Sequence, residues 1–166
     1  LTDNPLVQID GAVFDEWRRA ALSSGSGPLG RPIAMLSFTL NHVVAGELSP
    51  AALKLVNVLI HLAVCALIYA LAIPLLSRLY PDAGGGAARW LALLAAAIWL
   101  LHPLHVSTVL YAVQRMAQLA ALFVVAGLLV FVRYRQRWAL RGAGAGEVAA
   151  AGLWLLLLAA CAALSK

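Results

Sequence analysis

The stretch WLALLAAAIWLLHPLHVSTVLYAVQRMAQLAALFVVAGLLVFV, residues 90–132, carries a single formal charge, Arg115. A bilayer-spanning helix needs only about 20 apolar residues, so this run is too long for one span and must fold back on itself. Its strongest breaker is Pro103 in Leu101-His-Pro-Leu-His105, because proline removes a backbone donor and pushes the residue before it out of helical geometry. One span is expected over about 88–101 and another over about 108–132. Upstream, Leu55 to Leu76 lacks any formal charge; Ser49 as N-cap and Pro50 at the first helical position open a span over about 51–76. Val148 to Ser165 supplies a further span over about 148–165.

Composition agrees. Of 166 residues, 63% are hydrophobic and 11% charged, with a mean hydropathy of +0.90; soluble domains are roughly 45–50% apolar and about 25% charged. A soluble globular domain would have to hide too much apolar surface, and a disordered chain would be poor in apolar residues. The expected fold is an all-α polytopic membrane helix bundle of four transmembrane spans (51–166), preceded by an extracytoplasmic segment (1–50) with two short interfacial helices. Cys65 and Cys161 both lie inside apolar runs and read as small hydrophobes, not as a disulfide framework.

The few charges set the direction of the spans. Arg133, Arg135, Arg137 and Arg141 crowd a loop expected over 133–146, and Arg78 and Arg89 lie in one expected over 77–89. By the positive-inside rule both segments are cytoplasmic. Residues 1–50, which hold Asp3, Asp10, Asp15, Glu16 and Glu47, and the His-Pro-Leu-His turn are then extracytoplasmic. The net charge of +5 and pI of about 9.8 thus mark topology and anionic lipid headgroups, not a nucleic-acid partner. In 1–50, Phe14 to Leu22 has acids early and arginines late, as a short surface helix does. Ser23 to Gly30 is a connector. Pro32 to Ala45 is apolar but too short to span; it suits an interfacial or re-entrant helix, or one packed on the bundle.

Polar groups at membrane depth face a bundle interior or a cavity. Asn57, His61, Cys65 and Tyr69 recur every four residues, and Tyr111, Gln114, Arg115 and Gln118 fall at helical spacing, so each set shares one face and neither is expected to touch lipid. Interhelical hydrogen bonding is one reading of both stripes. For the second, an arginine that stays charged calls for an anionic partner. Arg115 lies roughly 25 Å along the helix from Arg133, and His102 about 20 Å from Arg89, both near the outer boundary of the hydrocarbon core. His102, His105, Arg115, Gln114 and Arg31 together would make a donor-rich pocket suited to the phosphate or pyrophosphate of a lipid. His42, His61, His102 and His105 bring metal to mind, but no HExxH, CxxC or i, i+4 histidine pair accompanies them. No resident cofactor or metal is expected. A transporter would call for paired broken helices from two repeats, and only one break is visible.

The order of short motifs adds a resemblance. Asp3-Asn-Pro5, Gly30-Arg-Pro32, Ser37-Phe38, Leu40-Asn-His42, Lys54-Leu-Val-Asn57, Ile60-His61, His102-Pro-Leu-His105, Tyr111, Gln114-Arg115 and Leu164-Ser-Lys166 follow one another along the chain. Together they resemble the N-terminal membrane half of a bacterial C-type glycosyltransferase, above all the transmembrane and tetratricopeptide-repeat O-mannosyltransferase-like family. The resemblance implies transfer of a sugar from a polyprenyl-phosphate carrier to an acceptor on the extracytoplasmic face, in a bacterial inner membrane. It implies that Arg115, His102 and His105 hold the carrier phosphate and that Arg31 orients the loop bearing the catalytic acid. It places that acid upstream of Leu1 and reads Leu164-Ser-Lys166 as a Ser-Lys-Glu motif cut before its acid, so the chain is expected to be an inactive piece of a larger enzyme. Membrane lipids, a protein acceptor and partner transmembrane helices are the remaining expected partners. The competing reading is a non-enzymatic accessory or scaffold subunit of a larger membrane complex.

Overall fold

Helix α3 (Pro50–Leu79) opens as the sequence predicts, with Ser49 Oγ accepting the Ala52 N–H at 3.2 Å and Pro50 in the first turn. The structure, a computed structural model, describes residues 5–9, 13–24, 30–46, 49–81 and 84–166. Asp3, Asn4, Asp10, residues 25–29 of the connector, Glu47 and Asp82 lie outside the described residues. In chain order the helices are α1 (Phe14–Ala21), α2 (Pro32–Ala45), α3, α4 (Gly84–Leu100), α5 (His105–Leu110), α6 (Arg115–Arg141) and α7 (Ala145–Ala163), with 3-10 turns at Pro5–Val7 and Ala112–Gln114.

The fold is an all-α membrane bundle. Three of its helical stretches, Pro50–Leu79, Ala112–Arg141 and Ala145–Ala163, are long and apolar enough to cross a bilayer. The two shorter apolar helices are α2 and α4. The 17 residues of α4 rise about 26 Å, less than the ~30 Å hydrocarbon core, so its crossing is not fixed by length. Leu59, Leu62, Leu94, Ile98, Val124, Leu128, Leu156 and Leu157 are exposed, as lipid-facing side chains of such a bundle must be.

Helix α3 is the centre: α4 and α6 pack along it, and α7 packs on α6. Ala88, Ala92 and Ala96, one per turn on α4, are buried, and small residues at such a spacing let helix backbones approach closely. Cys65 Sγ accordingly reaches the Ala96 carbonyl of α4 at 3.5 Å. At the end of the bundle where α3 begins, Val7, Met35, Phe38 and Leu53 form a buried apolar cluster, with Ala112 and Met116 packed against it. That cluster seats α2 on the bundle. Helix α1 lies on α2 and carries the ion pairs of Asp15 with Arg18 and Arg19, both at 2.8 Å. The hydrogen bond from Arg18, then the charge of Arg19, holds the Asp15 carboxyl below its ordinary value.

Two boundaries differ from those read off the sequence. The expected span over 108–132 is broken at Tyr111, whose backbone is extended (φ −91°, ψ 122°) between α5 and the 3-10 turn. No proline or glycine causes this; Asn57 Nδ2 donates to the Val109 and Tyr111 carbonyls at 3.2 and 3.1 Å and takes the place of helical donors. The break also turns Tyr111 outward to 63% exposure, against the expectation that its stripe avoids lipid. At the other end, the arginine-bearing segment after 132 is not a loop: α6 runs on to Arg141, because nothing before Gly142 interrupts a run of good helix formers.

Gly142 ends α6 at φ 79°, ψ 169°, a region open essentially to glycine alone. A Cβ there would meet no atom within 4 Å, so the barrier to substitution is backbone strain. Gly142→Ala is expected to lower stability by about 1–3 kcal/mol, read as an earlier thermal unfolding midpoint in detergent. An unchanged midpoint would show that this turn is not held in that conformation.

Candidate functional site

Arg115 begins α6 beneath α2 and is completely buried. Its Nε donates to Asn57 Oδ1 at 2.9 Å, Nη1 to the Ser37 carbonyl at 3.2 Å, and Nη2 to Asn41 Oδ1 at 3.1 Å and the Leu53 carbonyl at 2.9 Å. The Phe38 ring lies 4.4 Å from the guanidinium carbon, a cation–π contact. All these acceptors are neutral; among the described residues no carboxylate pairs with Arg115. A planar, five-donor guanidinium suits such a fan of oxygens, as a compact ammonium does not. Arg115 therefore clasps α2, α3 and α6 together. Sequence reading missed its partners Ser37 and Asn41, although their i, i+4 spacing around Phe38 puts all three on one side of α2.

Arg31 stands apart from it. It precedes α2 in the left-handed conformation (φ 54°, ψ 48°), the one non-glycine residue with positive φ among those described. That conformation costs a non-glycine residue roughly 1–2 kcal/mol. Contacts across the fold hold it: Arg31 Nε donates to the Lys166 carbonyl at 2.8 Å and Nη1 to Met116 Sδ at 3.2 Å. Ile33 N–H donates to the Leu164 carbonyl at 3.2 Å, so the start of α2 and the end of α7 meet. An open cavity of about 230 Å³ lies there, lined by Arg31, Val113, Gln114, Met116, Ala117 and Lys166. Lys166 is a cation that sequence reading had placed only in a motif.

His102 and His105 form a third group. Trp99 of α4 stacks on His61 with centroids 4.7 Å apart, and His105 lies 4.5 Å from Trp99 and 5.1 Å from His61. His61 is buried, with Nε2 at 3.2 Å from the Leu100 carbonyl. His102 is exposed, and its Nδ1 accepts the Leu104 N–H at 3.3 Å. Cavities of about 350 and 200 Å³ flank these rings, and His61 and His105 line both. Gln118, buried beside the smaller cavity, donates to the Thr108 carbonyl at 2.6 Å, while its Oε1 has no partner among the described residues. No three His, Cys, Asp or Glu side chains among the described residues are placed to share a metal ion. The structure thus brings Arg31 to Gln114, and His102 to His105, but does not gather them with Arg115 into one pocket.

Burial, then the neighbouring His61 and His102, keeps the His105 pKa below the ordinary histidine value. A depressed histidine pKa favours the neutral ring in the fold, so stability is full above pH ~6.5 and declines as pH falls below it. Acidification from about pH 7.5 to 5.5 is expected to loosen α5, read as lower protection of its amides against hydrogen exchange once the intrinsic pH dependence of exchange is divided out. His105→Phe should remove that dependence, and protection that does not change with pH in the wild-type chain would refute it.

No protein-family model matches the chain, and no solved structure matches it. Curated relatives do. It is 36% identical over 126 residues to protein O-mannosyl-transferase Tmtc2 of Drosophila melanogaster, covering 75% of this chain and 12% of that protein. It is 34% identical over 120 residues to human TMTC2 (72% and 13%) and 31% identical over 123 residues to human TMTC4 (72% and 16%). The chain spans only about an eighth of the length of the TMTC2 relatives it matches. These relatives are animal proteins, so what they share with the resemblance read from the motifs is the O-mannosyl-transferase kinship and not a bacterial source. Over about three quarters of its length, the chain is homologous to a segment of the TMTC-type protein O-mannosyl-transferases.

Proposed function

We propose that this chain forms part of a membrane glycosyltransferase that moves a sugar from a polyprenyl-phosphate carrier to an acceptor at the extracytoplasmic end of a four-span bundle. The observation that carries the reading is the similarity to protein O-mannosyl-transferases over three quarters of the chain. The end of the bundle where α2 meets α7 supplies matching chemistry. Departure of a phosphate leaving group needs cations and fixed donors around the developing charge. Arg31 and Gln114, with Lys166 beside them, line an open cavity and are assigned to the carrier phosphate. His102 and His105 line a separate cavity beside the turn after α4 and are assigned to a second polar contact of the carrier. Arg115 enters as a positioning residue: its hydrogen bonds to Ser37 and Asn41 fix α2, and α2 fixes Arg31. A carboxylate acting as general base on the acceptor hydroxyl is assigned to no residue of this chain.

The test uses the full-length protein with a polyprenyl-phosphate sugar donor. Arg31→Gln is expected to slow transfer by about 100-fold, as loss of one charged donor at a leaving group does, with a stability loss limited to its Lys166 and Met116 contacts. Arg31→Lys should restore part of the rate. Transfer by Arg31→Gln at the wild-type rate would exclude the phosphate contact. The accessory-subunit reading has one observation in its favour: the Arg115 guanidinium is wholly spent on internal neutral acceptors. Under that reading the full-length protein consumes no polyprenyl-phosphate sugar.

A further inference from the structure

The end of the bundle opposite Arg31 carries six of the twelve lysines and arginines. Helix α6 has 27 residues and rises about 40 Å, so its last turns extend past a ~30 Å hydrocarbon core. Those turns hold Arg133, Arg135, Arg137 and Arg141, all exposed. Because the segment is helical, Arg133, Arg137 and Arg141 recur every four residues and share one flank; in a loop they would have no fixed relation. Gln136 Nε2 donates to the Pro74 carbonyl of α3 at 3.3 Å. This contact joins the end of α3 to the same turns and places Arg78, one turn beyond Pro74, on that side. Among the described residues the ion pairs are those of Asp15, so none of these five arginines is neutralised by a carboxylate. Tyr134 and Trp138 pack with centroids 5.7 Å apart on the same turns, and Arg137 lies over the Tyr134 ring at 5.9 Å. Paired aromatics beside arginines are what a headgroup layer accommodates.

We propose that the basic end of α6, with Arg78 of α3, is a binding surface for the phosphate groups of anionic phospholipids. The occupant follows from charge complementarity and position: a rigid row of uncompensated guanidiniums beside interfacial aromatics meets phosphates in the plane of a bilayer surface. Guanidinium forks hold phosphate oxygens through paired N–H donors. This surface is independent of the proposed sugar-transfer site and belongs to the other end of the bundle.

The experiment compares the full-length protein in phosphatidylcholine nanodiscs with and without phosphatidylglycerol, reading the thermal unfolding midpoint and the lipid retained in native mass spectra. Phosphatidylglycerol is expected to raise the midpoint and to be retained preferentially. Each arginine at an anionic surface strengthens attachment about fivefold, so Arg133→Gln/Arg137→Gln/Arg141→Gln should weaken retention by about 100-fold and abolish the gain. Arg18→Gln/Arg19→Gln, which removes charges already paired with Asp15, should leave the gain intact. Preferential retention by the triple variant at the wild-type level overturns the proposal. If the triple variant does not fold, the wild-type protein decides alone: the gain must disappear at high salt, and a salt-insensitive gain overturns the proposal equally.

Discussion

Arg115→Met is expected to release α2 from the bundle while leaving the membrane-length helices inserted. Methionine matches the length of the arginine stem but supplies none of its donors. The Asn41 and Asn57 amide oxygens, both on buried side chains, would be left without their partner. The Leu53 and Ser37 carbonyls lose a charge-assisted bond but lie within helices that also supply N–H donors. Relief from burying a cation offsets part of this loss, so the net cost is roughly 3 kcal/mol. Chemical unfolding in micelles should show it, and hydrogen exchange should localise it to α2. Insertion depends on the apolar lengths of α3, α6 and α7, none of which the substitution shortens. Unchanged protection across α2 would mean that the apolar cluster around Phe38 holds the helix without the clasp. One consequence concerns activity: a dead Arg115 variant would not by itself show a phosphate contact, because losing α2 displaces Arg31.

Asn57→Leu is expected to cost about the same, roughly 3 kcal/mol, for a different reason. The Asn57 side chain is fully buried and acts in both directions, accepting from Arg115 Nε and donating to the Val109 and Tyr111 carbonyls. Leucine would leave a charged N–H without its acceptor and the part-buried Val109 and Tyr111 carbonyls without their side-chain donor. The Asn57 bonds hold the break at Tyr111 together with the Gln118 bond to the Thr108 carbonyl, so without them α5 and α6 should tend toward one continuous helix. Circular dichroism should then show helicity retained or raised despite lower stability. The double variant with Arg115→Met should be less destabilised than the two single costs combined, by about 1–2 kcal/mol, because each single change already breaks the Asn57–Arg115 bond. Strict additivity would show that the two residues are not coupled.

Much of the bundle was legible along the chain. Ser49 and Pro50 start α3 where local rules place a helix start. Helices α1 and α2 occupy 14–21 and 32–45, close to the bounds that charge order and apolar length imply. Of the stripe Asn57, His61, Cys65 and Tyr69, the first three are turned inward, each bonded to a backbone carbonyl of the segments after 95, and Tyr69 is half-buried. The site was less legible. Arg115 and the histidines could be singled out because a polar group in an apolar run is conspicuous. The partners of Arg115 could not, because they depend on where α2, far off in sequence, comes to rest, nor could the packing of His61 on His105, which depends on α3 meeting the turn after α4.

By itself the sequence determined what a bilayer enforces locally: apolar runs of spanning length, basic ends, proline and serine at helix starts, and polar side chains kept to one face. These follow from hydrophobic transfer and backbone hydrogen bonding, which act over a few turns of helix. Only the tertiary structure decided the rest. It broke the helix at Tyr111 through a side chain from α3, and it spent Arg115 on neutral oxygens from α2 and α3. It set Arg31 against Lys166 and joined the last turns of α6 to α3 through Gln136 and the Pro74 carbonyl. In each case the deciding hydrogen bond joins residues whose proximity no local pattern encodes.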